Sequence, residues 1–117
     1  MPRYLLALYD DPAEYQDLPP EELRGIIEKY RAWTRKLEDK GHLVTSDKLR
    51  DGSGRVLRGG RDGRAQVVDG PYSESKEVLG GFFLLEAASY DEAVELCRDS
   101  PHLESSGAIE IREVDEL

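Results

Sequence analysis

Between positions 69 and 77 the chain reads DGPYSESKE, which gathers three carboxylates, an ammonium and a phenol into nine residues. A carboxylate beside a lysine can move a proton or hold a polar ligand. Tyr72, Glu74, Lys76 and Glu77 are therefore candidate ligand-binding side chains, and Asp69 is a candidate catalytic base. A second candidate base is His102 in SPHLESSG, a stretch that follows one expected helix and precedes one expected strand. Loops held on a rigid scaffold often carry functional groups. Each feature also has a plainer reading. Asp69-Gly70-Pro71 makes a tight turn, with an aspartate that bonds its own downstream backbone and a proline that fixes φ. Ser73 or Ser75 can cap a short helical turn, and His102 can be a surface or helix-capping side chain.

Other chemistries are absent from the pattern. No glycine loop ends in Gly-Lys-Ser/Thr, and no Gly-x-Gly-x-x-Gly follows a strand. His42, His102 and Cys97 have no known metal-ligand spacing, so neither a metal nor a cofactor is expected. A Ser-His-Asp triad cannot be argued. Cys97 falls on the apolar stripe of a helix and reads as a core thiol. His42 follows Gly41 at a helix end, where a cation suits the dipole.

These residues must be positioned by one domain, 1–117, since the length suits a single core. A lone cysteine excludes an internal disulfide and points to a reducing, cytoplasmic setting. No apolar run suggests a membrane span, and the start of the chain is too acidic for a signal peptide. The net charge of −9 belongs entirely to residues 71–117, with 3 basic and 12 acidic side chains; residues 1–70 balance at 13 of each. That disfavours nucleic acid as a partner. The basic group Lys48, Arg50, Arg55, Arg58, Arg61 and Arg64 is diluted by Asp51 and Asp62 and reads as a solvated hairpin.

The expected order is β-α-β-(β-β)-β-α-β. Residues 3–9 are short and apolar, a strand. Pro20, Glu21 and Glu22 open a helix of about 20 residues with a stripe of Leu23, Ile26, Ile27, Tyr30, Trp33 and Leu37, and Gly41 closes it. Strands follow over 43–49, 55–60, 65–69 and 80–87, with Asp62-Gly63 as the hairpin signal. Ser89 to Glu92 is a capping box for a helix that buries Tyr90, Ala93, Val94 and Cys97, and residues 108–114 form the last strand. Without the middle hairpin this is an α+β, ferredoxin-like split β-α-β. Two of its strands, RYLLALY and GGFFLLEA, are apolar on both faces. The face without helices then needs a cover, and a second copy would make a dimeric α+β barrel.

The stretch DGPYSESKEVLGGFFLLEAASYDEAVELC, with PHLESSGAIEIREV beyond it, resembles the DGPF branch of the YCII-related family. The usual motif there is Asp-Gly-Pro-Phe, then Glu-x-Lys-Glu and Gly-Gly-Phe/Tyr; this chain carries Tyr72 for the phenylalanine. The likeness reaches upstream through YRAWTRKLEDKGHLV to YLLALYDD. It implies a homodimeric α+β barrel. It also implies a possible sigma-factor partner, since many members are encoded beside extracytoplasmic-function sigma factors. The broader family includes proteins with a proposed His–Asp catalytic pair, and one relative is linked to dehydrochlorination of an aromatic intermediate. Its histidine stands eight residues before a helix-ending glycine, and here that place holds Trp33. An indole N–H only donates, so an enzyme would need another base. The reading is a small dimeric protein that binds a polar molecule near the DGPY turn. The alternatives are a lyase or hydrolase using His102, Asp69, Glu74 or Glu77 as base, and a sigma-factor accessory protein.

Overall fold

The computed structural model describes residues 1–60, 62–70 and 77–117. Strand Arg3–Asp10 (β1) is followed by helix Pro20–Asp39 (α1) and strand Leu43–Lys48 (β2). A hairpin of Arg55–Arg58 (β3) and Gln66–Asp69 (β4) precedes the long strand Val78–Glu86 (β5). Helix Tyr90–Cys97 (α2) and strand Ala108–Glu113 (β6) complete the fold. Four strands form one sheet in the order β2-β5-β1-β6, every neighbour antiparallel, and β3 and β4 form a separate two-stranded sheet. With the hairpin set aside, this is the ferredoxin-like order, and the expected α+β class holds. None of the described helices is long and apolar enough to cross a membrane.

Local chemistry explains the boundaries. Pro20 at the first helical position and Glu21 and Glu22 in the first turn start α1. Its end is a Schellman motif: the Gly41 N–H donates to the Glu38 carbonyl at 3.0 Å and the His42 N–H to the Leu37 carbonyl at 3.0 Å. Gly41 takes φ +79°, a conformation that favours glycine. At the start of α2 the Ser89 hydroxyl accepts from the Glu92 N–H at 3.2 Å, and the Glu92 carboxylate accepts from the Ala88 N–H at 2.9 Å.

The core lies between the helices and one face of the sheet. Leu6, Leu8, Phe83 and Leu85 from the strands pack with Trp33, Leu37 and Cys97 from the helices. Trp33 is only 4% exposed; its ring lies 4.7 Å from that of Phe83, and its indole N–H donates to the Leu96 carbonyl. The position that the resemblance allots to a histidine is thus a packing position. Cys97 is buried as expected, and burial, with Asp99 nearby, pushes its thiol up to about 11. At neutral pH it is a protonated core thiol and not a nucleophile.

Two expected stripes are narrower than their sequence spacing. Leu23 and Ile27 remain exposed on α1, because the sheet meets the helix from Tyr30 onward. On α2, Tyr90 and Val94 are exposed while Ala93 and Cys97 are buried. The Tyr90 ring lies edge-on to Tyr4 at 4.9 Å, and its hydroxyl accepts from the Glu113 N–H at 2.7 Å. It seals the edge of the core from outside.

The opposite face of the sheet carries no helix. Strand alternation puts Leu5, Ala7, Phe82 and Leu84 there, paired Leu5 with Leu84 and Ala7 with Phe82. Leu5 is exposed and Phe82 and Leu84 are half-buried.

Candidate functional site

One end of the main sheet brings together a buried histidine, two tyrosines and a half-buried carboxylate. β1 ends there at Asp10, opposite Val78 at the start of β5. β2 ends there, with Lys48 opposite Gly81 and the Leu49 N–H donating to the Gly80 carbonyl at 2.9 Å. β6 begins there, with Ala108 opposite Tyr9. The register between β1 and β5 slips after Leu8 and leaves Gly80 unmatched. Such a bulge re-aims the neighbouring side chains. A Cβ on Gly80 would stand 3.2 Å from the Asp10 carboxylate, so that carboxylate lies close over bare backbone.

A 3-10 turn over Pro12–Tyr15 follows β1 and carries Tyr15 back over this end. Asp11 caps it by accepting from the Ala13 N–H at 3.0 Å. A second 3-10 turn over Pro101–Glu104 precedes β6 and carries His102. The buried Ser100 hydroxyl accepts from the His102 N–H at 3.2 Å and sets this turn. His102 is 1% exposed. Its Nε2 lies 2.8 Å from the Tyr9 carbonyl and its Nδ1 2.7 Å from the Tyr30 hydroxyl. A carbonyl only accepts, so Nε2 carries a proton.

Two groups around the ring are shifted from their ordinary behaviour. Burial pushes the Tyr30 phenol well above the usual tyrosine range, with Tyr15 and Asp10 adding to it. Tyr30 therefore keeps its proton and can donate it to Nδ1. Burial also raises Asp10, against the pull of His102 and Lys48; the neighbouring Asp51 adds to the rise, and a hydrogen bond from Tyr15 opposes it. Lys48 does not neutralise the carboxylate directly: its ammonium donates to the Leu49 carbonyl at 2.9 Å and to Asp51 at 3.0 Å. Half-buried carboxylates with a raised pKa are markers of functional sites.

Exposed links rim the site. Lys29 pairs with Glu104 at 2.9 Å, and the Ser106 hydroxyl donates to Glu14. Such exposed pairs add little stability. Two recesses lie elsewhere: one of about 450 Å³ between the chain ends, lined by Met1, Pro2 and 113–116, and one of about 110 Å³ between α1 and α2 beside Trp33. Neither borders Asp10. The second is lined by Arg98 and Asp99, which are shifted mainly by their hydrogen bonds to Glu95 and Lys36, whereas burial is the main cause of the shifts of Asp10 and Tyr30 at the sheet end. Among the described residues no cluster of histidine, cysteine, aspartate or glutamate could hold a metal.

The residues singled out from sequence fall in three places. Tyr72, Glu74 and Lys76 lie outside the described residues, and Glu77 is exposed and directly precedes β5. Val78, the next residue, is the strand partner of Asp10. Asp69 ends β4 in the hairpin, exposed, with the Arg55 guanidinium at 3.4 Å. His102 has Tyr9 and Tyr30 as ring partners, so the structure places these two candidate bases in different surroundings. It brings His102 together instead with Asp10, Tyr15 and Tyr30, none of which the sequence reading singled out for chemistry. A signal was present: Asp10 has the same parity as the core-facing Tyr4, Leu6 and Leu8.

The fold and this sheet-end cluster describe a small ferredoxin-like α+β protein with a half-buried carboxylate and a buried histidine at one end of its sheet. The model of the YCII-related domain matches residues 2–117, and the chain belongs to that family. It is 31% identical over 110 residues to an uncharacterized protein of Rhizobium meliloti (strain 1021), covering 93% of this chain and 89% of that one.

Proposed function

We propose that the protein binds a small polar molecule at the sheet end around Asp10, and that Asp10 exchanges a proton with it. The observation that carries this is the Asp10 carboxylate itself, half-buried over the Gly80 bulge, raised by desolvation and without a direct ion pair among the described residues. A carboxylate in that state is readier to take up or give a proton near neutral pH than an ordinary aspartate. Lys48 and Glu77, at the same end, supply charge of both signs for a polar ligand. Proton transfer by Asp10 would equip the site for lyase or hydrolase chemistry without a histidine base.

The raised pKa has a stability consequence. The folded state favours the protonated carboxyl, so its contribution is fully present below the unfolded aspartate value and is lost as pH rises through the folded value. At neutral pH the charged form is a liability. Asp10→Asn is expected to stabilise the fold by roughly 0.5 kcal/mol at pH 7, a figure reduced because the carboxylate is still partly wet. The gain should fade in acid. In a thermal-shift screen against polar metabolites, the same variant should lose the hits of the wild type. Loss of stability at pH 7, or unchanged hits, would count against Asp10.

A homodimer is the second part of the reading, and the helix-free face supports it. Leu5, Phe82 and Leu84 form an apolar centre there that a second copy would cover. Light scattering should then give about 26 kDa, twice the 13.2 kDa chain. Leu84→Lys should give a folded monomer, whereas Leu6→Lys should unfold the chain, because Leu6 faces the helices and is fully buried. A folded monomer in the wild type at micromolar concentration would remove the dimer.

A further inference from the structure

We infer that His102 is a positioning residue for Asp10, holding the end of β1 by the Tyr9 carbonyl and so fixing where the neighbouring carboxylate stands. This rests on Asp10 being the ligand-contacting group, but its test needs no ligand. The Nε2–H bond at 2.8 Å falls on the carbonyl of the residue immediately before Asp10. At Nδ1 the Tyr30 hydroxyl fixes the rotation of the ring. Tyr30 is in turn beside Tyr15, and Tyr15 reaches Asp10. The contacts thus close a loop: Asp10, the Tyr9 backbone, His102, Tyr30, Tyr15 and Asp10 again. The ring has no room to retreat, since a Cβ on Gly107 would stand 2.7 Å from Nε2.

Both ring nitrogens are engaged and the side chain is sealed from solvent, so His102 is placed to hold and not to meet a ligand. Asp10 depends on it because the desolvation of the carboxylate requires the end of β1 to stay against the Gly80 bulge. Among the described residues, the charged and titratable groups that face Asp10 are Lys48 of β2, Asp51 in the loop after it, Tyr15 in the turn after β1, Tyr30 of α1 and His102 itself.

The test is the carboxyl carbon titration of Asp10, followed by NMR in the wild type, His102→Gln and His102→Leu. Both replacements are uncharged, so comparing them isolates the hydrogen bond. Glutamine can still donate to the Tyr9 carbonyl and leucine cannot. The Asp10 midpoint in His102→Leu should fall toward the ordinary aspartate value relative to His102→Gln. A purely structural role would lower the melting temperature of His102→Leu and leave the two midpoints equal; equal midpoints in two folded variants overturn the proposal. If His102→Leu does not fold, Tyr30→Phe decides. It keeps the ring packing, removes only the hydroxyl, and should move the Asp10 midpoint in the same direction. An Asp10 titration identical to wild type in Tyr30→Phe overturns the proposal.

Discussion

Replacing Trp33 with alanine is expected to destabilise the protein by about 3–5 kcal/mol. The ring is buried, lies against Phe83, and ties α1 to the last turn of α2 through its bond to the Leu96 carbonyl. Truncation removes the largest side chain of the core and leaves that carbonyl without its donor. Single domains hold only about 5–15 kcal/mol in total, so urea unfolding should show a large drop in midpoint. Trp33→Phe keeps most of the apolar volume and should cost clearly less. A loss below about 1 kcal/mol for the alanine variant would mean that the helix–sheet core is not assembled around this residue. It would also reopen the position to a functional role.

The second large effect is expected at Gly107. A side chain there would place its first carbon 2.4 Å from the His102 carbonyl oxygen and 2.7 Å from its ring. No rotamer change relieves a backbone contact, so Gly107→Val should cost roughly 1–3 kcal/mol through overpacking. The displacement should also pull His102 from Tyr9, so ligand hits should weaken in parallel with the loss of stability. Gly25 is the contrast: it sits within α1 with nothing within 4 Å of its missing Cβ. Gly25→Ala should therefore stabilise the chain by roughly 0.5–1 kcal/mol. Melting curves of the two variants should move in opposite directions.

Much of the fold was legible because periodic signals are local. The Ser89–Glu92 capping box, the Pro20 helix start and the Gly41 stop all occur where their side chains and backbone dictate. The alternation of β6 puts Ile109 and Ile111 toward the core. What the periodicity could not give was the depth of each stripe. Leu23, Ile27 and Val94 have the spacing of core residues, but their burial depends on how far the sheet extends beneath each helix.

The site was less legible, for a physical reason. Its parts come from positions 10, 15, 30 and 102, joined by strand pairing and two 3-10 turns that no short motif encodes. Asp10 lay just past the expected strand over 3–9, and Tyr30 read as one more member of an apolar stripe. His102 was marked for its place in a loop, yet its surroundings are the buried end of β1. The stretch from Asp69 to Glu77 was marked for its density of charge, and residues 71–76 of it lie outside the described residues.

The central claim is that a polar ligand binds at the sheet end with Asp10 in contact. Its most direct test is amide chemical-shift mapping of the wild type against polar hits from the metabolite screen, repeated with Asp10→Asn. The expected shifts concentrate at Asp10, Tyr15, Lys48 and Glu77, and they vanish in Asp10→Asn although that variant is folded and more stable at pH 7. Shifts that centre on the β3–β4 hairpin or the chain ends, or that persist unchanged in Asp10→Asn, would contradict it.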